Sequence, residues 1–309
     1  MKILGIGNAI IDVICKVNEN FISQNNLTKS NMKLIFEEIE FKKLFSNLKV
    51  EKTISGGSVA NTIVGLSQLG NQVGFIGKVS EDKLGIEYEN GLKKENVRYF
   101  YNKKKEVLPT GTCLILITPD SERTMCTYLG TAGKINESDI DLEAIKKSEI
   151  IFLEGYLWDE GDPKKAFDKS INNAKKVAMS LSDKFCVDRH KPHFLELVKN
   201  KLDIIFSNED EIFSLLDTKS FNDVIAFGKE IKKTLVVTRG ENGAISIKGD
   251  KVTEVGINKN LDIIDLTGAG DLFAAGYLHG YLNNFSEVEN LKKGTDMSSK
   301  IIQKIGARL

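Results

Sequence analysis

The chain has 309 residues, of which 41% are hydrophobic and 28% charged, and its 43 Lys and Arg balance its 43 Asp and Glu. These values are ordinary for a soluble globular protein and exclude a disordered or fibrous one. With no net charge there is no overall cationic field to gather nucleic acid or acidic membrane, so we expect a small-molecule partner, no nucleic acid and no membrane.

The cysteines and the apolar stretches indicate the compartment. No segment approaches eighteen unbroken apolar residues, and no small-residue cleavage site follows the apolar N-terminus. The four cysteines, Cys15, Cys113, Cys126 and Cys186, form no CxxC pair and no zinc spacing. Scattered thiols of this kind are typical of buried, reduced cysteines, so we expect a cytoplasmic protein.

The predicted elements begin with a strand in MKILGIGNAIIDV, and from residue 50 onward short β-like runs alternate with helical ones. The strands predicted there are VEKTIS, QVGFIGKV, EIIFLEG, KVAMSLS, LDIIFS and TLVVTRG. Helices are predicted from Ser58, from Asp82 to Lys94, after Pro163, after Pro192, near Asn208 and near Phe221. This alternation predicts an α/β fold with a largely parallel central sheet.

Two β-rich stretches interrupt the alternation. The first contains IDVICKV and NMKLIFEE, and the second contains VRYFYN, TGTCLILITP and ERTMCTYLG. Neither has the helices that would cover both faces of a parallel sheet. We therefore expect a single domain over 1–309, in which about 12–50 and 96–130 form a small β-sheet lid over a cleft and the rest forms the α/β core.

The strongest local signal is DLTGAGDLFAAGYLHG at 265–280, where Gly268-Ala269-Gly270 directly precedes a predicted helix. The unsatisfied N–H groups and the dipole of such a helix start attract phosphate oxygens. An aspartate at this point repels phosphate, so Asp271 makes sense as a base that takes a proton from an attacking hydroxyl. Local propensity explains Asp271 about equally well, because Asp is favoured in a first helical turn.

A second glycine pattern, TRGENGA, follows the apolar strand TLVV. It would place backbone amides and the Thr238 hydroxyl at the carboxyl end of a strand, where open α/β sheets bind ligands. Asn242-Gly243 is also a good hairpin turn between TLVVTRG and AISIKG. Both interpretations can hold together.

A third pattern, SGGSVANT, lies between a predicted strand and a predicted helix. Gly56 and Gly57 would let the backbone approach a ligand closely, and Asn61 can donate and accept hydrogen bonds to hydroxyls. A plain helix start with Ser58 as its N-cap explains the same residues about equally well.

In SNEDE, Asn208 and Glu211 are three apart and so share one helical face. A carboxylate with an amide suits Mg²⁺ held through retained water. An ordinary Asn N-cap with Glu three residues later describes the pair better when it is taken alone.

Asp12 follows the predicted first strand and could hold a vicinal diol by accepting two hydroxyl protons. GIGNAI lacks the third glycine of a dinucleotide fingerprint, and no GxxxxGK[ST] is present, so any nucleotide triphosphate must be held without a P-loop.

Taken in order, GNAIIDV, SGGSVANT, SNEDE, VVTRGENGA and DLTGAGDLFAAGYLHG resemble the PfkB carbohydrate kinase family, which is ribokinase-like, over nearly the whole chain. ERTMCTYLG, LSDKFCVDRH and IGAR are more similar to its adenosine-kinase-like branch. The resemblance implies a three-layer α/β/α sandwich with a protruding β lid, and transfer of the γ-phosphate of ATP, with Mg²⁺, to a nucleoside or sugar hydroxyl.

The resemblance also implies roles for individual residues. Asp271 matches the catalytic base, Gly268, Ala269 and Gly270 match the anion hole, and Arg123 in the lid could steady the transferred charge. The residues implied to contact the acceptor are Asn8, Asp12, Gly56, Gly57 and Asn61. Those implied for the nucleotide are Asn208, Thr238, Gly240, Gly243 and Thr267, with Glu211 for the metal through water.

Adenosine is slightly favoured as the acceptor over ribose or fructose, since Phe36 or Tyr128 in the lid could supply an aromatic pocket for a base. The same two residues could equally be lid packing. A non-catalytic nucleoside or sugar sensor is the alternative from another class. The edge strands of a lid sheet also allow a homodimer through the lid.

Overall fold

The computed structural model describes residues 1–120, 122–159 and 163–309. Its strands are β1 (Ile3–Ile6), β2 (Ile10–Lys16), β3 (Met32–Ile35), β4 (Val50–Gly56), β5 (Val73–Ile76), β6 (Arg98–Tyr99), β7 (Gly111–Ile117), β8 (Arg123–Tyr128), β9 (Ile150–Glu154), β10 (Val177–Ser180), β11 (Ile204–Asn208), β12 (Thr234–Thr238), β13 (Ala244–Lys248) and β14 (Lys251–Val255). Its α-helices are α1 (Glu19–Gln24), α2 (Glu38–Ser46), α3 (Ser58–Gln68), α4 (Lys83–Lys94), α5 (Leu142–Lys146), α6 (Pro163–Asn173), α7 (Lys184–Asn200), α8 (Glu209–Leu216), α9 (Phe221–Ile231), α10 (Ala269–Leu282) and α11 (Glu287–Ile301).

A large, mostly parallel sheet forms the body of the molecule. Its order in the described chain is β14-β13-β12-β11-β10-β9-β1-β5-β6, and only β13 and β14 run antiparallel to their neighbours. Successive strand residues face opposite sides, so Ile3 joins an apolar cluster with α3 and α10 while Leu4 joins one with α6 and α7. The predicted α/β/α sandwich is therefore confirmed.

A second, smaller sheet stands beside this body, with the order β3-β8-β7-β2-β4. The chain passes from β1 to β2 through only 7–9, and from β4 to α3 through Gly57 alone. These two connections lie against each other, because a Cβ on Gly57 would lie 2.2 Å from the carbonyl oxygen of Asn8. Gly57 also has a φ of +97°, so the position requires glycine.

Two strands lie in different sheets from those the sequence predicts. VEKTIS was expected to open the alternating core at residue 50, but β4 pairs antiparallel with β2 in the small sheet. β6, inside the predicted lid segment 96–130, pairs with β5 in the large sheet. β6 has only two residues, too few to show a period, and the alternation of VEKTIS with the helix that follows does not specify which sheet its strand joins.

The helix predicted after Pro192 begins earlier. α7 starts at Lys184, where the Asp183 side chain accepts from the Cys186 N–H, and Pro192 lies inside it. The backbone bends at His190, whose φ of −119° and ψ of 15° are not helical, because a proline within a helix removes one hydrogen bond and crowds the preceding turn.

The helices of the described chain are all too short or too polar to cross a bilayer.

Candidate active site

The glycine-rich loop before α10 has the open amide groups that its sequence predicts. Gly268 adopts a left-handed conformation with φ of +78°, and α10 begins at the next residue. The N–H groups of Gly270 and Asp271 have no hydrogen-bond partner within the described chain, and a Cβ on Gly270 would meet nothing within 4 Å. The loop therefore presents bare donors and a positive helix end to an open space, an arrangement suited to an anion.

Asp271 lies beside these donors and is held by α3. The Ser58 hydroxyl donates to Oδ1 at 2.6 Å, the Asn61 amide donates to Oδ2 at 3.0 Å, and the Thr62 hydroxyl donates to its backbone oxygen at 3.0 Å. Burial raises the pKa of Asp271 to about 6, while the bonds from Ser58 and Asn61 and the positive charge of Arg308 oppose the rise. A carboxylate with this pKa is largely ionised at neutral pH and can accept a proton.

The helix start at Ser58 differs from the expected N-cap. Gly57 takes the cap position, and the Ser58 hydroxyl bonds to Asp271, 213 residues away, instead of to its own helix. Ser58 therefore holds Asp271 in the cleft instead of capping its own helix. Local sequence could not show this contact between distant residues.

Asp12 lies on β2, between β7 and β4 in the small sheet. A Cβ on Gly56 would lie 2.5 Å from its Oδ2, so glycine at 56 leaves room for the carboxylate. Burial raises the pKa of Asp12 to about 7; the Arg308 charge lowers it and the Asp271 charge raises it. Two carboxylates, one on β2 and one at the start of α10, thus influence each other across one cleft.

The cleft itself is a cavity of about 780 Å³ between the small sheet and the carboxyl ends of the large-sheet strands. The predicted site residues that line it are Asn8, Asp12, Gly57, Asn61, Asn208, Glu211, Thr238, Thr267, Gly268, Ala269, Gly270 and Asp271. Gly56, Arg123, Gly240 and Gly243 do not line this cavity.

On the nucleotide side the structure separates the members of TRGENGA. Thr238 ends β12 and lines the cleft, whereas Gly240 and Gly243 form the turn between the antiparallel strands β12 and β13. A Cβ on Gly243 would lie 2.0 Å from the Val255 carbonyl oxygen, and its φ is +82°. Gly243 is thus required by packing, while Gly240 faces open space.

Asn208 and Glu211 form a complete capping box at the start of α8. The Asn208 N–H and side-chain amide donate to the two oxygens of Glu211 at 3.0 and 2.7 Å, and the Glu211 N–H donates to Asn208 Oδ1 at 2.8 Å. Burial raises the pKa of Glu211 to about 7. Since both carboxylate oxygens are engaged and no trio of His, Cys, Asp or Glu in the described chain is placed to hold a metal, this pair fits a metal reached through water and phosphate rather than a direct ligand set.

Arg123 is held by Asp265, which begins the glycine-rich loop before α10 (residues 265–270, here called the anion loop). Its guanidinium pairs with Asp265 Oδ2, which also accepts the Gly306 N–H at 2.7 Å. Asp265 Oδ1 accepts the Thr267 N–H and hydroxyl at 3.1 and 2.7 Å. One carboxylate thereby joins the small sheet, the anion loop and the tail (residues 302–309).

Glu154 is a site residue that our sequence analysis missed. It is the buried last residue of β9, and its two oxygens accept the N–H groups of Asn8 at 2.8 Å and Val59 at 2.9 Å. Burial raises the pKa of Glu154 to about 7. The available signal was the carboxylate that ends the otherwise apolar run IIFLE, since a charged residue in a buried strand indicates a polar role.

Arg308 is the second missed residue. It lies in the tail, beside Asn61, and lines a neighbouring cavity of about 570 Å³ that shares Asp12, Asn61 and Thr267 with the main cleft. Two features of the sequence pointed to Arg308: arginine is scarce in this chain, and IGAR is similar to the adenosine-kinase-like branch.

The suggested aromatic base pocket is not formed by the predicted residues. Tyr128 is buried and stacks on Phe41 with ring centroids 5.0 Å apart, and Phe36 is 67% exposed. Neither lines the cleft. The small-sheet wall is instead mostly aliphatic and sulfur-containing, with Asn31 and Thr127 as polar members beside Ile10, Met32, Leu34, Cys113, Ile115, Met125 and Leu129.

Comparison with known proteins identifies the class that this fold and cleft define. The model of the "pfkB family carbohydrate kinase" matches residues 6–309. The chain therefore belongs to the pfkB family of carbohydrate kinases, and it is a kinase, whose family implies ATP as co-substrate.

Individual relatives differ in the acceptor that their names state. The crystal structure of an adenosine kinase from Sinorhizobium meliloti matches with a TM-score of 0.91 and 34% identity over 100% of this chain and 95% of that one. A probable sugar kinase from Rhizobium etli matches with a TM-score of 0.90 and 34% identity, over 99% and 94% of the two chains. An uncharacterized sugar kinase of Archaeoglobus fulgidus is 28% identical over 79% of this chain and 97% of its own length.

Proposed function

We propose that this kinase transfers the γ-phosphate of ATP to a hydroxyl of a nucleoside, most closely adenosine, with Asp271 as the general base. The observation that carries the proposal is the position of Asp271 beside the unpartnered N–H groups that follow Gly268. A base and an anion site in contact are what transfer of a phosphoryl group to an alcohol requires.

The proposed step is an in-line displacement. The acceptor oxygen forms a bond to the γ-phosphorus, its proton passes to Asp271, and the bond between that phosphorus and the bridging oxygen of ADP breaks. The N–H groups of Gly270 and Asp271 stabilise the charge on the moving phosphoryl group. Thr238 and Thr267 border the path to the nucleotide, and Mg²⁺, when bound with the phosphates, would neutralise charge near Glu211 through water.

The acceptor class is argued from the two walls of the cleft. Asp12 on β2 of the small sheet and Asn61 on α3 of the core supply a carboxylate and an amide for a vicinal diol. The rest of the small-sheet wall is mostly apolar, with Ile10, Ile115 and Met125 among its residues. A ribose carrying a nucleobase places hydroxyls at one end and a flat apolar surface at the other, which suits these walls better than a free sugar with hydroxyls all round. A sugar acceptor is the second candidate, favoured by the names of several relatives.

The replacement of Asp271 by Asn tests the role of the base. Asn keeps the size of the side chain and can still bond to Ser58, but it cannot take the proton, so kcat should fall about 10²–10⁴-fold. Calorimetry should show ATP and acceptor binding within a fewfold of the unchanged protein. Phosphoryl transfer by D271N at a near-normal rate would refute the assignment, and ligand binding without ADP formation in the unchanged protein would indicate a sensor instead.

We also propose a cytoplasmic location and a homodimer through the lid. All four cysteines are buried, which is usual for structural thiols in a reducing compartment. Met32 on the edge strand β3, Phe36 just after it and Ile39 on α2 are exposed, and edge strands with apolar neighbours favour pairing between chains. Light scattering would give twice the monomer mass for the dimer, and a monomer mass would exclude it.

A further inference from the structure

The tail brings a cation into the cleft from the far end of the sequence. After α11 it passes beneath the anion loop, where the Gly306 N–H bonds to Asp265 and a Cβ on Gly268 would lie 2.7 Å from Ala307. This packing fixes the next residue, Arg308, against α3. The conformation of the loop and that of the tail thus depend on each other.

Arg308 contacts the group that holds the base. Its Nε donates to Asn61 Oδ1 at 3.1 Å, and Asn61 Nδ2 donates to Asp271 Oδ2 at 3.0 Å. A guanidinium can only donate and an ionised carboxylate can only accept, so together they allow the Asn61 amide one orientation. Without Arg308 the amide could turn and present an oxygen to Asp271.

Arg308 also retains donor capacity that the protein leaves unused. Its Nη2 is buried and has no hydrogen-bond partner within the described chain. A buried, unpaired donor on a charged group is costly unless something else pairs with it. The cavity wall here is shared with Asp12, where an acceptor hydroxyl is proposed to bind.

The charges around Asp271 make this cation consequential. The charged groups around it are Asp12 on β2, Glu154 on β9 and Arg308 on the tail, with Asp183, Arg189 and Glu211 also lining the cleft. Arg308 is the cation whose charge lowers the pKa of both Asp12 and Asp271. Burial lowers the pKa of Arg308 itself, but a guanidinium remains protonated.

We infer that Arg308 is a positioning residue of the phosphoryl-transfer site, holding Asn61 in the orientation that donates to Asp271 and offering Nη2 to an oxygen of the bound acceptor. The inference rests on the proposed function, because it assumes that Asp271 is the base. The tail thereby takes part in the reaction through the side-chain amide of Asn61 on α3.

The test compares R308Q and R308K with the exposed control R98Q, using ATP and the best acceptor from a panel of nucleosides and sugars. R308Q should lower kcat at least tenfold, raise KM for the acceptor but not for ATP, and move the acidic limb of the profile of kcat/KM against pH to higher pH, since the lost cation no longer favours ionised Asp271. R308K should keep the limb near its original pH while kcat still falls, because an ammonium lacks the Nε–H that orients Asn61. Because part of its effect passes through Asn61, R308Q should slow the N61A background by a smaller factor than it slows the unchanged protein.

The outcomes separate the inference from the proposed function. If D271N is inactive while folded R308Q keeps the kcat and pH limb of R98Q, Arg308 has no positioning role and the function stands. If D271N is active, the function itself fails. Should R308Q not fold by circular dichroism, R308K decides the matter, and a kcat equal to that of R98Q would overturn the inference.

Discussion

At the scale of single residues, the pKa of Asp271 controls the predicted activity. The group works as a base only when ionised, and its pKa of about 6 in the folded protein is raised by burial. The rate constant kcat/KM should therefore rise with pH up to about 6 and level off above it. Asp12 has a pKa of about 7. If the diol binds only to ionised Asp12, the rise of kcat/KM with pH will continue to about that pH.

Replacing Ser58 by Ala should shift this limb. The hydroxyl of Ser58 donates to Asp271 Oδ1 at 2.6 Å and so favours the ionised form. Its loss raises the pKa of Asp271, and the acidic limb of kcat/KM against pH moves to higher pH. The matched control is S214A, which removes a serine-to-aspartate bond with Asp188 outside the cleft. Identical limbs for S58A and S214A would contradict the electrostatic role of Ser58.

Residues that local sequence could reveal are those whose function is set by their neighbours in the chain. Gly268 and Asp271 were predicted because a glycine turn, a helix start and a carboxylate lie within four positions. Glu154 and Arg308 escaped prediction because their partners Asn8 and Asn61 lie 146 and 247 residues away. Hydrogen bonds over such separations exist only once the fold has formed.

At the scale of elements, Asp265 connects three parts of the cleft. It accepts bonds from the anion loop and the tail and pairs with Arg123 of the small sheet. The sequence predicted both Arg123 in the lid and the loop that begins at Asp265, but it could not show that the two would meet. Arg123 stays a predicted contact for transferred phosphate, for which it would have to share its guanidinium with Asp265.

Replacing Asp265 by Asn should loosen this junction. The neutral amide loses the ion pair with Arg123 and one of the accepting oxygens, so the free energy of unfolding should fall by about 1.5–3 kcal/mol, the contribution of bonds to a charged group. Urea unfolding followed by circular dichroism measures the change. The control D262N alters an exposed aspartate of the same segment. Equal stability of D265N and D262N would show that the junction contributes nothing.

Strand periodicity explains which elements were predicted and which sheet assignments were wrong. The apolar runs IIFL of β9 and IIF of β11 are buried on both faces and lie in the large sheet, as alternation with helices predicts. β4 also precedes a helix, yet it pairs with β2 in the small sheet. Partner choice depends on the path of the chain through Gly57, which periodicity does not encode.

At the scale of the whole molecule, the cleft lies between two sheets connected by very short crossings. The small sheet covers the carboxyl ends of the large-sheet strands, where open α/β folds bind ligands. The core supplies the base, the amides and Asn61, and the small sheet supplies Asp12 and the apolar wall. This division assigns catalysis to the core and acceptor choice to the small sheet.

The most direct test of this account offers γ-labelled ATP to the unchanged protein with adenosine, ribose or fructose and measures the label in each product. We expect transfer to a hydroxyl of adenosine with a kcat/KM well above that for either free sugar, because only the nucleoside carries a base that can pack against the apolar wall. Faster transfer to ribose or fructose would contradict the assignment of that wall, and no transfer to any acceptor would contradict the proposed chemistry of the cleft.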